Sequence, residues 1–227
     1  MNTIQSAANI SPAKPLVRDP GSALTHLIAV LLALLGTPPL LYRAYRYSDT
    51  LGVASMTIFM ISMILLYAAS TTYHTINTSP QVIKRFRKID HTMIFLLIAG
   101  TYTPICLISL RDSVGPLMCG IVWGIALIGI LLSIVWITCP KWFSSLLYIG
   151  MGWVCIMGFS QILNTLSSAA FAWLLAGGII YTIGGVIYAL KLSLFNSRHR
   201  YFGSHEIFHL FCIGGSLCHY IVMYYIL

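Results

Sequence analysis

The chain has 227 residues, of which 58% are hydrophobic and 8% charged, with 13 Lys and Arg against 5 Asp and Glu and a net charge of +8. A soluble globular domain carries about 25% charged residues. Too few charges remain to coat a water-facing surface, so a soluble enzyme, a disordered chain and a fibrous repeat are not expected, and the lipid bilayer is the expected solvent.

In chain order, the first twenty residues are mostly polar, and the apolar stretch after them is long enough to span, which does not fit a signal peptide. A transmembrane helix needs about 20 mainly apolar residues. Charged residues divide the chain into runs of that length, and spans are predicted at 22–42, 52–74, 91–110, 113–137, 142–163, 169–190 and 204–227. The first ends near a Pro38-Pro39 kink, and the fifth and sixth are separated at Asn164-Thr165-Leu166-Ser167-Ser168. The predicted fold is an all-α membrane protein: a seven-transmembrane helix bundle over 22–227, behind an N-terminal tail of residues 1–21. Cysteines stand at 106, 119, 139, 155, 212 and 218 with no C-x-x-C pair, so a disulfide framework is not expected.

The basic residues set the orientation. With the N-terminus inside, the inner segments hold Lys14, Arg18, Lys84, Arg85, Arg87, Lys88, Lys141, Lys191, Arg198 and Arg200, and the outer ones hold only Arg43, Arg46 and Arg111. The positive-inside rule therefore predicts a cytoplasmic N-terminus and an outside C-terminus. The positive charge reads as topology rather than as a nucleic-acid surface. The cluster at 84–88 is also placed to meet anionic lipid at the cytoplasmic face. Trp136 and Trp142 flank Pro140 as interface anchors, as Tyr224 and Tyr225 do at the far end. Gly120-x-x-x-Gly124, Gly177-Gly178 and Gly184-Gly185 allow close helix approach.

This topology brings polar groups from distant segments to one membrane depth: Ser22 and His26, then Ser70 and His74, then Asp90 and His91, then His205, Glu206 and His209. Ionisable residues in or beside spans are costly and usually functional. His205 and His209 are spaced i,i+4 and share a helix face, and Ser70 and His74 repeat the spacing. Three imidazoles, His74, His205 and His209, make a catalytic zinc site whose fourth position is left to water. In that reading Asp90 holds the water or acts as general base, and Ser70 hydrogen-bonds the water or a substrate carbonyl. His205-Glu206-Ile207-Phe208-His209 also reads as H-E-x-x-H, the zincin motif in which the Glu is the base. Cys212 and Gly215 stand where the metzincin extension needs Gly and His, and no Asp-Gly occurs, so Glu206 is read as an interfacial acid. His219 lies ten residues beyond His209, about 15 Å along a helix, too far for the same metal, and is expected to bond within the bundle. For His26, support of a ligand and plain packing both stand open. His91 is read as structural and His199 as surface.

Ser70-x-x-x-His74, Lys88-Ile89-Asp90-His91, Ala99-Gly100-Thr101-Tyr102-Thr103-Pro104 and His205-x-x-x-His209 with Gly214-Gly215-Ser216-x-x-Cys218-His219 resemble the hemolysin III proteins. These are the bacterial branch of the progestin and adiponectin receptor family, whose wider superfamily includes alkaline ceramidases. The resemblance covers about residues 19–227. It implies an N-in seven-helix bundle in a bacterial cell (inner) membrane with zinc near the cytoplasmic face. By position, His74, His205 and His209 are then the ligands, Asp90 touches the zinc-bound water, and Ser70 belongs to the site. It also implies lipid-amide hydrolysis for some eukaryotic relatives and a role in membrane lipid balance for bacterial ones. The hemolysin name implies lytic activity in some members. Related bacterial chains often carry Glu and Asn before the first His, where this chain has Asp19 and Ser22.

Three functions follow as expectations. The first is a zinc-dependent hydrolase of a lipid amide or ester, its substrate entering sideways from the bilayer. The second is a homeostasis or sensor protein in which zinc only ties helices together. The third is a lytic protein, for which the chain offers no amphipathic or hairpin toxin segment.

Overall fold

The computed structural model describes residues 16–136, 140–190 and 202–227, with the Lys141 side chain left aside. Residues 1–15 of the tail with Lys14, the end of the fourth predicted span at 137, and Cys139, Lys191, Arg198, His199 and Arg200 lie outside the described residues. The elements are α1 (Pro20–Tyr47), α2 (Thr50–Thr75), α3 (Pro80–Pro104, running into a π turn at Ile105–Ser109), α4 (Gly115–Val135), α5 (Lys141–Gly152), a 3₁₀ segment (Trp153–Gly158), α6 (Phe159–Thr165), α7 (Ser168–Leu190) and α8 (Ser204–Tyr225). Among the described residues, seven helices are long and apolar enough to cross a membrane, with α5 through α6 forming the fifth.

Two boundaries differ from the sequence expectation. α3 begins at Pro80 rather than at 91, so the basic cluster is helical. Pro80 supplies a preset φ in the first turn, Lys and Arg are good helix formers, and Lys84 and Arg85 are exposed. α1 continues through Pro38 and Pro39 to Tyr47 instead of ending near them. The fifth span was read as one helix and is broken at Trp153–Gly158. Tyr102 covers the break from the inside. Its hydroxyl donates to the Gly152 carbonyl at 2.5 Å and accepts from the Cys155 N–H at 2.9 Å. Backbone groups freed within a bilayer need such partners.

The helices pack in sequence, α1 on α2, α2 on α3 and α3 on α4, while α5 packs on α7, α7 on α8, and α8 returns to α1 to close the ring. Inside lie Leu40, Met56, Phe59, Tyr67, Phe95, Val122 and Met223. Leu31, Leu35, Leu127, Ile128 and Leu131 face outward, as expected where lipid is the solvent. Gly177, Gly184 and Gly185 do admit close neighbours, at His219, Phe211 and Ile149. Gly120 and Gly124 do not: a Cβ at either position would meet nothing within 4 Å. They join no close helix contact among the described residues. The five described cysteines are free.

Candidate metal centre

One end of the bundle is organised by the segment that enters α1. The Asp19 N–H donates to the His74 carbonyl at 3.0 Å and the Arg18 N–H to the Thr75 carbonyl at 3.3 Å, which pins this segment to the last turn of α2. The Asp19 side chain is thereby set against the His74 ring, with Oδ2 at 3.0 Å from Nδ1. The same oxygen accepts from Arg18 Nε at 2.9 Å. The Arg18 guanidinium lies 4.1 Å from the centre of the Tyr73 ring. Partial burial pushes the Asp19 carboxyl upward, but the hydrogen bonds from His74 and Arg18 outweigh it and hold the group below its ordinary value. A carboxylate only accepts, so His74 Nδ1 carries the proton and Nε2 keeps its lone pair.

His209 is oriented by the same logic. Its Nδ1 lies 3.0 Å from Thr25 Oγ1. The single Thr25 hydroxyl proton is given to the Ser22 carbonyl at 2.9 Å. Thr25 therefore accepts from His209 Nδ1–H, leaving Nε2 as the free acceptor. His205 completes the group, with Nε2 3.2 Å from His74 Nε2. The three side chains of His74, His205 and His209 each offer a nitrogen within 4.8 Å of the others and could hold a metal ion. Tetrahedral zinc with bonds of 2.0–2.1 Å sets ligand nitrogens about 3.3 Å apart, close to the His74–His205 separation. The donors fit such an ion, and the Nδ1 partners are of the carboxylate and hydroxyl kind that orient metal-binding histidines. Among the described residues no fourth His, Cys, Asp or Glu joins the group.

Ser70 and Asp90 come together beside this cluster, the Ser70 hydroxyl close enough to interact with the Asp90 carboxyl. Both line a cavity of about 240 Å³ in the bundle interior, together with His26, His205 and His209. Along α3 the lining runs from Asp90 to Ile105, about 22 Å at 1.5 Å per residue. Below the polar head the walls are largely apolar: Leu66, Ile94, Leu97, Met118, Ile162 and Leu174. His26 stacks on His209 with ring centres 3.6 Å apart and planes within 10°. Among the described residues neither His26 nitrogen has a hydrogen-bond partner.

The other sequence candidates divide. Glu206 is committed elsewhere: it accepts from the Ser22 hydroxyl and from the Gly203 N–H at the start of α8. The His91 carbonyl accepts from Tyr148, and its side chain lines the cavity wall. His219 stacks on Tyr181, and among the described residues its Nδ1 has no partner, where a bond within the bundle was expected. Sequence reasoning assigned no role to Asp19, Ser22 or Thr25. Asp19 and Ser22 carried a signal, since they occupy the positions where related chains place polar residues. Thr25 carried none.

The comparisons agree with this architecture. A profile of the family described as haemolysin-III related matches residues 15–220. The chain is 37% identical over 207 residues to the Hemolysin-3 of Bacillus cereus, covering 91% of this chain and 90% of that protein. It is 37% identical over 195 residues to the Hemolysin-3 homolog of Bacillus subtilis (strain 168), covering 86% and 87%. A more distant match is the Adiponectin receptor protein of Drosophila melanogaster, 25% identical over 240 positions, covering 89% of this chain and 49% of that protein. With seven apolar spans in the structure and relatives aligned along most of its length, the chain is a multi-pass integral membrane protein, suited to a bacterial cell membrane, and belongs to the haemolysin III family.

Proposed function

We propose that this protein is a zinc-dependent membrane hydrolase that cleaves a lipid amide or ester and so contributes to membrane lipid homeostasis. The observation that carries the reading is the placement of the Ser70–Asp90 pair and two of the three clustered imidazoles at the head of one apolar cavity. His74, His205 and His209 would hold the ion, which when bound supplies Lewis-acid activation of a carbonyl and of water. The remaining work falls to the chain. Asp90 takes the proton of the attacking water on a carboxylate oxygen and returns it to the departing amine or alkoxide. Ser70, donating to Asp90, orients that carboxylate. The apolar walls hold the acyl chain and keep bulk water from the reaction.

Ile156, Phe159 and Leu175 both line the cavity and are exposed on the outer surface of the bundle. This supports lateral entry from the bilayer between the fifth span and α7. With the N-terminus inside, as the basic residues imply, the site lies at the cytoplasmic side, where Lys84, Arg85, Arg87 and Lys88 meet anionic lipid. The test is turnover of N-acyl and ester lipids by purified protein in lipid nanodiscs. We expect product from the wild type and a loss of about 10²-fold or more in Asp90→Asn, with metal content unchanged. Metal-replete wild type without product, or Asp90→Asn at full rate, would contradict the reading.

A further inference from the structure

We propose that His219 and the groups around it form a second polar subsite, midway across the membrane, that binds a hydroxyl or carbonyl oxygen carried on the hydrocarbon chain of the bound lipid. The inference rests on reading the cavity as a chain site, and it does not depend on hydrolysis. His219 is 7% exposed and lines the same cavity as Asp90 and His209. It lies ten residues along α8 from His209, about 15 Å, or half of a hydrocarbon layer about 30 Å thick.

The hydroxyls of this region are accounted for among themselves. Tyr67 donates to the Cys212 carbonyl at 3.2 Å. It lies 2.6 Å from Ser216 Oγ, which in turn lies 2.7 Å from the Tyr181 hydroxyl. With the Tyr67 proton used on Cys212, the chain of donors runs from Tyr181 to Ser216 to Tyr67. Thr182 donates to the Gly178 carbonyl at 2.7 Å and accepts from Trp153 Nε1 at 3.0 Å. The imidazole of His219 is the member left over: among the described residues neither nitrogen is bonded, Nδ1 being fully buried and Nε2 being the edge left toward the cavity. Buried polar groups are nearly always satisfied, and an exception asks for a ligand or a function. An imidazole inside a bilayer is costlier still.

The opposing helix is cut back at Gly177 to admit the imidazole itself and is open at Gly178. A Cβ on Gly177 would fall 2.7 Å from His219 Nε2, while one on Gly178, which lines the cavity, would meet nothing within 4 Å. A chain whose carbonyl sits at the histidine cluster reaches His219 after about twelve bonds, at about 1.2 Å per bond of an extended backbone. The matching ligand therefore carries its oxygen near mid-chain, where Nε2, the imidazole nitrogen on the cavity side, gains a hydrogen bond.

The experiment is a competition between equal amounts of octadecanamide and 12-hydroxyoctadecanamide, read as the ratio of bound species by native mass spectrometry of the purified protein. Wild type is expected to favour the hydroxylated chain by about three- to tenfold, the range of a single net hydrogen bond. His219→Phe is expected to bring the ratio to one while still binding both chains. His219→Gln, which keeps a polar atom near the Nε2 position, is expected to retain part of the preference and covers the case in which the Phe variant does not fold. His74→Ala is expected to keep the full preference, which separates this subsite from the metal centre. Equal binding of the two amides by wild type, or an unchanged ratio in His219→Phe, would overturn the subsite alone. Binding of neither amide would overturn it together with the chain-site reading.

Discussion

Asp19 and His74 are joined twice, once through backbone (N–H to carbonyl, 3.0 Å) and once through side chains (Oδ2 to Nδ1, 3.0 Å). The double contact makes the entry to α1 part of the candidate metal centre: the backbone bond sets the position of the carboxylate, and the carboxylate sets the tautomer of the imidazole. We expect Asp19→Ala to lower metal affinity by about 10–100-fold, the usual cost of losing such a partner. Helical content and chromatographic behaviour should stay as in the wild type. Competition with a chelating metal indicator measures the affinity, and an unchanged value would show that His74 needs no orienting partner.

Thr25 does the same for His209, as an acceptor rather than as a charge. Thr25→Val keeps the shape and removes the acceptor. The expected loss in metal affinity is about tenfold, at the lower end of the range for outer partners of metal ligands. Thr25→Ser should restore it. Equal affinities for all three proteins would remove Thr25 from the site.

Much of this centre was legible in the amino-acid order, and the part that was not has a physical reason. His74, His205 and His209 could be found because helix periodicity and charge spacing alone put them at one depth. Asp19 and Thr25 act through tertiary pairing: the bent entry segment bonds the last turn of α2, and α1 packs on α8. No spacing in the sequence reports either contact. The start of α3 was hidden for another reason. The predicted span starts at 91, after the last charge, whereas Lys84 to Lys88 lie on a helix that begins at Pro80 and carries them beyond the apolar run. The break in the fifth span was hidden because its partner, Tyr102, lies on α3.

Glu206 separates two chemistries that the H-E-x-x-H pattern leaves open. In the structure it ties α8 to α1 through Ser22 and caps its own helix through Gly203. We expect Glu206→Gln to lower stability by about 1.5–3 kcal/mol, as for hydrogen bonds to a charged group, and to leave turnover by the surviving fold within a few-fold of wild type. Thermal unfolding in detergent and a rate per folded molecule test this. A fully stable variant with no turnover would restore Glu206 as the base.

At the opposite end of α2, Asp49 accepts from the Gly52 N–H at 2.9 Å and from Arg111 at 2.5 Å. The Gly52 hydrogen bond and then the Arg111 guanidinium hold its carboxyl below the ordinary value. A lowered folded-state value means that the stabilisation is complete above the unfolded carboxyl pKa of about 3.9. It is lost as pH falls through the lower folded value. Melting temperatures from pH 7 down to pH 3 should therefore show an acid-side decline in wild type that is shallower in Asp49→Asn. Parallel curves would mean that this cap and ion pair add nothing to stability.

The central claim is that His74, His205 and His209 together hold one catalytic metal ion. The most direct measurement is metal content per protein, by plasma mass spectrometry, for the purified wild type and for His74→Ala, His205→Ala and His209→Ala. We expect about one zinc per chain in the wild type and its loss in each variant while the helical fold persists. Full zinc in all three variants, or a metal-free wild type that still turns over lipid, would contradict the account.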